Sequence, residues 1–198
     1  MAWFIFAMIG GYVLGSIPFG LLITRVAGIG DIRQIGSGNI GATNVMRTGR
    51  KDLALATLVL DSFKAGLAVL LLAALSGDRN IGLIAGAFAF LGHCYPIWLN
   101  FKGGKGVATY AGLLLFASPL AFLVGAPIWG GVFALSRISS LAALTAATLI
   151  PLGALLLGET SFAVCILLAL SLLVFWTHRQ NITRLLNGTE PKFGSKPK

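Results

Sequence analysis

The stretch VATYAGLLLFASPLAFLVGAPIWGGVFA, residues 107–134, decides how this chain is organised. It is apolar from end to end, and a helix needs about 20 such residues to cross a ~30 Å hydrocarbon core. Its 28 residues are too many for one comfortable span and few for two. Pro119 and Pro127 lie within it, and proline removes a helix donor and marks breaks. Two short spans meeting near Ser118-Pro119 give the chain seven crossings; a single span gives six.

Five further stretches approach or exceed span length: Trp3 to Ile23, Leu53 to Leu75, Ile81 to Leu99, Ile138 to Leu157 and Phe162 to Trp176. Charge chooses between the two counts. With seven spans and the N-terminus outside, one side receives Arg25, Arg33, Arg47, Arg50, Lys51, Lys102, Lys105, Arg137, Arg179, Arg184, Lys192, Lys196 and Lys198, thirteen of the fifteen Lys and Arg. The other side keeps Arg79, and Lys64 falls inside a helix. With six spans the split is even. The positive-inside rule therefore predicts an all-α integral membrane protein of seven transmembrane helices, N-terminus outside and C-terminus cytoplasmic.

Composition agrees: 57% hydrophobic residues, 11% charged and a mean hydropathy of +0.89 exceed what one soluble core can hide. No Lys or Arg precedes the first apolar run and no small-residue cleavage site follows it, so it is expected to remain as a helix. Residues 1–198 read as a single transmembrane domain with a flexible basic tail from about 191. Cys94 and Cys165 fall in apolar stretches as small hydrophobes, which leaves no disulfide framework and no CxxC metal site. The net charge of +9 is mostly the cationic helix ends of a membrane protein facing anionic headgroups. The basic residues are dispersed, without an aromatic-interleaved stripe, so nucleic acid is not an expected partner.

Three polar segments interrupt the apolar chain: GSGNIGATNVMR at 36–47, KGGKGVAT at 102–109 and HRQNITRLLNGTE at 178–190. The charge argument places all three on the cytoplasmic face. The first formally satisfies GxGxxG, with Asp61 twenty residues after Gly41. That dinucleotide fingerprint needs a preceding strand in a βαβ unit, and here a span precedes it and Asp61 lies in another. What survives is an anion-binding reading: glycines free the backbone, Ser37, Gly38, Asn39, Thr43 and Asn44 supply donors, and Arg47 supplies a bidentate fork. The second segment is not a Walker A loop, because Gly106 stands where Ser or Thr should follow Lys105. Lys102, Gly103, Gly104, Lys105 and Gly106 at a helix start make a phosphate cradle instead, although interfacial lysines alone account equally well for the charge. In the third, His178 and Asn181 lie about a helix turn apart if the helix continues, and the His178 imidazole is a candidate proton acceptor or phosphate donor. Asp61 and Lys64 are spaced to pair on one helix face, a structural pair by default, and His93 reads as a buried polar group.

The segments GSGNIGATN with its following Arg, KGGKGVAT and HRQNITRLLNGTE resemble, in order and over the whole chain, the three signature motifs of the bacterial acyl-phosphate-dependent glycerol-3-phosphate acyltransferases, the PlsY family. The resemblance implies transfer of a fatty acyl group from acyl phosphate to the sn-1 hydroxyl of glycerol 3-phosphate, giving lysophosphatidic acid and phosphate, at the cytoplasmic face of the bacterial inner membrane and with no cofactor. It implies acyl transfer at Ser37 and Arg47, glycerol-phosphate binding at Gly103, Gly104 and Gly106, and activity and integrity at His178, Asn181 and Glu190. It also implies, as partners, membrane lipid and the enzymes that supply acyl phosphate and consume lysophosphatidic acid. The family's Asp-x-x-Lys-Gly reads Asp61-Ser-Phe-Lys64-Ala-Gly66 here.

The residues make chemical sense of this. An acyl phosphate is already activated, and the chain has no GxSxG elbow and no reactive-cysteine motif. H-x4-D is absent too, since Thr183 follows His178 at that spacing and Trp98 follows His93. Direct attack by the glycerol hydroxyl is expected, with Arg47 and Lys105 neutralising phosphate charge and Ser37 or backbone N–H groups meeting the carbonyl oxygen. The base is His178 or the donor's own phosphate. The competing class, a transporter of an anionic solute, calls for inverted repeats and a site near the midplane, which the face location of the polar segments disfavours.

Overall fold

A computed structural model describes residues 1–194; the tail lysines Lys196 and Lys198 lie outside the described residues. Every regular element described is helical. The first apolar run forms α1 (Ala2–Gly15) and α2 (Phe19–Val26), broken at Ser16-Ile17-Pro18 because Pro18 cannot continue a helix. A short α3 (Ala42–Met46) follows the first polar segment. The long α4 (Lys51–Ser76) ends on Gly77, whose φ of +71° suits the left-handed turn there. Asp78 caps α5 (Arg79–Cys94) by accepting from the Asn80 N–H. The α-helix itself stops at Cys94, because Pro96 drives Tyr95 out of helical conformation, and a 3₁₀ turn at Ile97–Leu99 completes the span, which runs to Leu99 as expected.

The deciding stretch divides at Ser118 into α6 (Val107–Ala117) and α7 (Pro119–Ser136), with Pro119 in the first turn of α7, where its missing N–H costs nothing. Pro127 stays inside α7 without ending it. Then come α8 (Ser139–Leu156) and α9 (Ser161–Thr177), followed after a 61° bend by α10 (Arg179–Leu186). Among the described residues, five helical segments are long and apolar enough to cross a membrane, six if the bent α9–α10 pair is one span. The eleven residues of α6 reach roughly 16 Å at ~1.5 Å per residue, about half the ~30 Å hydrocarbon core. The count of seven therefore needs both the bent α9–α10 pair and this short helix as crossings.

The chain forms two compact units, Met1–Ala117 and the segment from Ser118 onward. In the first, small residues let backbones approach closely, the packing device of membrane helices. Gly11 and Gly15 lie against the carbonyls of Ala85 and Ala89, so α1 runs parallel to α5; Gly82 meets α4 at Val69 and Ala73. Gly112 of α6 sits on the backbone of Ser62, and Gly66 receives the ring of Phe116, which makes α6 parallel to α4. Both the first and the second polar segment thus leave the same end of this unit. In the second unit α7, α8 and α9 alternate in direction. Ser118 donates to Glu159 at one end (2.5 Å), and Ser140 donates to Glu190 at the other (2.7 Å). There the Phe193 N–H also reaches the Arg137 carbonyl (2.7 Å), and its ring meets Phe133 edge-on. Large apolar side chains such as Phe6, Leu123, Leu152 and Leu172 are exposed, as surfaces bathed in lipid require.

Candidate active site

The first polar segment is folded onto a small apolar core of Leu21, Ile32, Ile40, Val45 and Ala54, with Ile35, Met46, Leu53 and Leu99 packed around it. Its polar centre is Asn44, which is 1% exposed. The Asn44 amide nitrogen donates to the carbonyls of Ile32, Ile35 and Asn39 (2.8–3.0 Å), and its Oδ1 accepts from the Ser37 N–H (2.9 Å) and Ser37 Oγ (3.2 Å). Its donors are spent inside the chain, so Asn44 shapes the loop and does not offer the free donors expected of it. Asn39 is half-buried, and its Oδ1 accepts from the Gly41 N–H (2.9 Å) in a local turn. Ser37, Gly38, Thr43 and Arg47 remain exposed.

Arg47 stands out electrostatically among these. Arg25 and Arg33 both pair with Asp31, Arg50 pairs with Asp52 and Arg184 with Glu190, whereas Arg47 has no carboxylate partner among the described residues. Its guanidinium approaches Asn44 Oδ1 only at 3.5 Å. The Arg33 hydrogen bond, with Arg25 assisting, holds the Asp31 carboxyl far below the usual carboxylate range, so those two arginines are committed. A hydroxyl and an uncommitted guanidinium therefore flank one exposed loop, which is the equipment for an anion.

The second segment folds back onto the end of α5. The N–H groups of Gly103 and Gly104 donate to the carbonyls of Cys94 (3.0 Å) and His93 (2.9 Å). These two N–H groups therefore cap a helix, and the phosphate cradle expected of this turn has to come from other groups. Glycine is required for closeness: a Cβ on Gly104 would lie 1.9 Å from His93 Nε2, and one on Gly106, whose φ is +85°, would lie 2.1 Å from the Phe90 ring. Tyr12 Oη donates to the Tyr95 carbonyl (2.7 Å) and pins the start of the same loop. Lys102 is exposed and Lys105 half-buried.

Beneath this turn lies a buried charged cluster in which His93 joins the expected Asp61–Lys64 pair. Lys64 Nζ donates to Asp61 Oδ1 (2.7 Å), to the Ile17 carbonyl (2.9 Å) and to His93 Nδ1 (2.9 Å). Asp61 and Lys64 are each 2% exposed and His93 4%. The Asp61-x-x-Lys64 spacing did signal the pair, but nothing in the sequence brings His93 to it.

The third segment belongs to the second unit. The chain bends by 61° at His178, the N-cap position of α10, where it makes no side-chain capping bond, and Asn181 follows within the first turn of α10. His178 and Asn181 are both buried. His178 Nδ1 lies 2.8 Å from the Val174 carbonyl, and a carbonyl only accepts, so Nδ1 carries a proton. Glu190 gathers the segment, accepting from Ser140, from Asn181 Nδ2 (2.5 Å) and from Arg184 Nε (2.6 Å). Burial alone would raise its carboxyl; the bonds from Ser140, Asn181 and Arg184 outweigh that and hold it below its ordinary value. A depressed folded-state carboxyl contributes stability above its unfolded value and loses it as pH falls through the folded one. The thermal stability of the purified protein is thus expected to fall below about pH 4.5, the ordinary glutamate value. Glu190→Gln is expected to flatten that dependence and to cost on the order of 1–3 kcal/mol at neutral pH. An unchanged pH profile in the variant would remove Glu190 from this role.

Among the described residues no group of three or more His, Cys, Asp or Glu could hold a metal ion. Residues 5–188 match the family model described as glycerol-3-phosphate acyltransferase. The chain is 63% identical to a glycerol-3-phosphate acyltransferase of Hyphomonas neptunium, over 99% of its own length and 96% of the relative's. It is 56% identical to one of Agrobacterium fabrum, covering 94% and 90%. Among solved structures it is similar to PlsY (YgiH), an integral membrane glycerol 3-phosphate acyltransferase. The glycerol 3-phosphate form superposes with a TM-score of 0.90 at 37% identity, covering 96% of each chain. The lysophosphatidic acid form superposes at 0.88 and 36%, covering 96% and 95%.

Proposed function

Because this chain belongs to the glycerol-3-phosphate acyltransferase family, we propose that it moves a fatty acyl group from acyl phosphate to the sn-1 hydroxyl of glycerol 3-phosphate. The products are lysophosphatidic acid and inorganic phosphate. The observation that carries this reading is the pairing at the first segment: an exposed Ser37 hydroxyl that meets the Asn44 amide oxygen, beside an Arg47 without a carboxylate partner among the described residues. Such a site holds an anion next to a hydrogen-bond donor, and among the described residues the serine hydroxyl meets an amide oxygen where a nucleophile would need a base. The solved relative in glycerol 3-phosphate and lysophosphatidic acid forms supplies the acceptor and the product by likeness.

In this mechanism the glycerol hydroxyl attacks the donor's carbonyl carbon, the C–O bond to phosphate breaks, and phosphate departs with the electron pair. Arg47 and Lys105 neutralise phosphate charge, while Ser37 donates to the carbonyl oxygen as negative charge develops on it. Asn39, Thr43, Lys102 and Asn181 complete the polar surroundings of the substrates, and Gly38, Gly103, Gly104 and Gly106 give the loops the closeness they need. The hydroxyl proton goes to the donor's phosphate or to His178. Purified protein given glycerol 3-phosphate should form lysophosphatidic acid with acyl phosphate, and activity with acyl-CoA alone would overturn the choice of donor. Solute uptake into vesicles without acyl transfer would favour a transporter.

The same reading places the enzyme in the bacterial inner membrane with its polar segments on the cytoplasmic side and α6 as the seventh crossing, on the strength of the lysine and arginine partition. With Cys165→Ser as background, a membrane-impermeant maleimide applied to intact cells is expected to label Arg79→Cys. Thr43→Cys, Lys102→Cys and Asn187→Cys, all at exposed positions, are expected to stay unlabelled. Labelling of Asn187→Cys would mean that α6 or the α9–α10 pair does not cross.

A further inference from the structure

We propose that Asp61, Lys64 and His93 are positioning residues: a buried charged post that fixes one tautomer of His93 and, through it, the Gly103-Gly104 turn that carries Lys102 and Lys105. The consequence for catalysis rests on the acyltransferase reading above; the arrangement of the post does not.

Lys64 fixes the proton inventory. An ammonium has three N–H donors and no lone pair, and Lys64 Nζ finds three acceptors, at Ile17 O, Asp61 Oδ1 and His93 Nδ1. His93 Nδ1 must therefore accept, which puts the ring proton on Nε2. This is the opposite of His178, where Nδ1 donates to Val174. The Nε2 edge of His93 is what a Cβ on Gly104 would strike at 1.9 Å, while the His93 carbonyl holds the Gly104 N–H (2.9 Å). One residue thus grips the glycine turn from both its ring and its backbone.

The post also reaches the first segment. Ile17 sits at the break before α2, and Gly20 of α2 lies so close to the Ile40 carbonyl that a Cβ there would come within 1.9 Å. Lys64 accordingly ties together the α1–α2 break, α4 and the end of α5, the three places on which the two polar loops rest. Fold stability alone does not account for this choice of residues. Charges at such depth are costly, and apolar replacements of a buried ion pair are often neutral or stabilising. What apolar residues cannot do is hold an imidazole in one tautomer against a turn that must accept phosphate.

The chain has two histidines, His93 and His178, so ¹⁵N-histidine NMR of the intact protein reads both, with His178→Asn assigning them. The expected spectrum has one ring protonated at Nε2 (His93) and one at Nδ1 (His178). An Nδ1–H or doubly protonated His93 would overturn the proposal whatever the activity. His93→Asn keeps an acceptor near the Nδ1 position for Lys64 but removes the ring edge over Gly104. It is expected to raise KM for glycerol 3-phosphate about tenfold, the factor that goes with one hydrogen bond, with kcat and the donor's KM within about threefold. A unchanged acceptor KM would count against the post. A double-mutant cycle covers variants that lose stability: Gly104→Ala should lower Tm and raise KM in wild type, yet change each far less in a His93→Ala background. Additive effects would contradict the contact. If wild type makes no lysophosphatidic acid, the acyltransferase reading fails, and the NMR spectrum and the Tm cycle still decide the post.

Discussion

Ser37→Ala is expected to lower kcat by about 10²-fold, the effect of losing one donor to a developing oxyanion, with little change in either KM. The size follows from what surrounds the hydroxyl. Ser37 Oγ meets Asn44 Oδ1 at 3.2 Å, and an amide oxygen orients a hydroxyl without being basic enough to take its proton. A serine nucleophile requires an adjacent base, and removing one typically costs far more than removing one oxyanion donor, of the order of 10⁶-fold. The fold of the variant should be intact, because the Asn44 bonds to Ile32, Ile35 and Asn39 that shape the loop do not involve the serine side chain. A steady-state assay with acyl phosphate and glycerol 3-phosphate checks this. Loss beyond about 10⁵-fold in a folded protein would mean that the hydroxyl does covalent work.

Gly104→Leu is expected to raise KM for glycerol 3-phosphate by about 10²-fold or more and to lower Tm as well. Gly104 is buried, and even a Cβ there would lie 1.9 Å from His93 Nε2. The leucine must therefore push the imidazole off Lys64 or lift the turn off the carbonyls of His93 and Cys94. Overpacking of this kind costs typically 1–3 kcal/mol in stability, and the displaced turn carries Lys102 and Lys105 away from the phosphate. Measuring kcat, both KM values and Tm together separates the two effects. A pure fall in kcat with unchanged acceptor KM would argue that this turn has no part in binding glycerol 3-phosphate.

The helices were largely legible because their signals are local. The break at Ser118-Pro119 could be read from a proline that favours the first turn of a helix, and Gly77 and Asp78 mark the turn between α4 and α5. Two local signals were overrun by hydropathy: Pro18 and Pro96 each end a helix inside a run that looks continuous by composition. The polar segments were legible as sites because glycine, asparagine and arginine clusters stand out against an apolar chain. How they use their atoms was not. Asn44 has the composition of a ligand donor and the contacts of a loop hub, and Gly103 and Gly104 have the look of a phosphate loop while their N–H groups cap α5. His93 was hidden for the same reason, since its partners lie 29 and 32 residues away in sequence and meet it only once α4 and α5 pack. A bend of 61° at His178 likewise depends on packing that no helix period encodes.

The acyl group is proposed to pass directly from acyl phosphate to the hydroxyl of glycerol 3-phosphate, and the wild-type protein incubated with acyl phosphate alone tests this most directly. Intact-protein mass spectrometry is expected to find no acyl adduct, and acyl phosphate should not be hydrolysed faster than in buffer until glycerol 3-phosphate is added. An acyl group on Ser37 that glycerol 3-phosphate then removes as lysophosphatidic acid would contradict it and make the serine a covalent nucleophile.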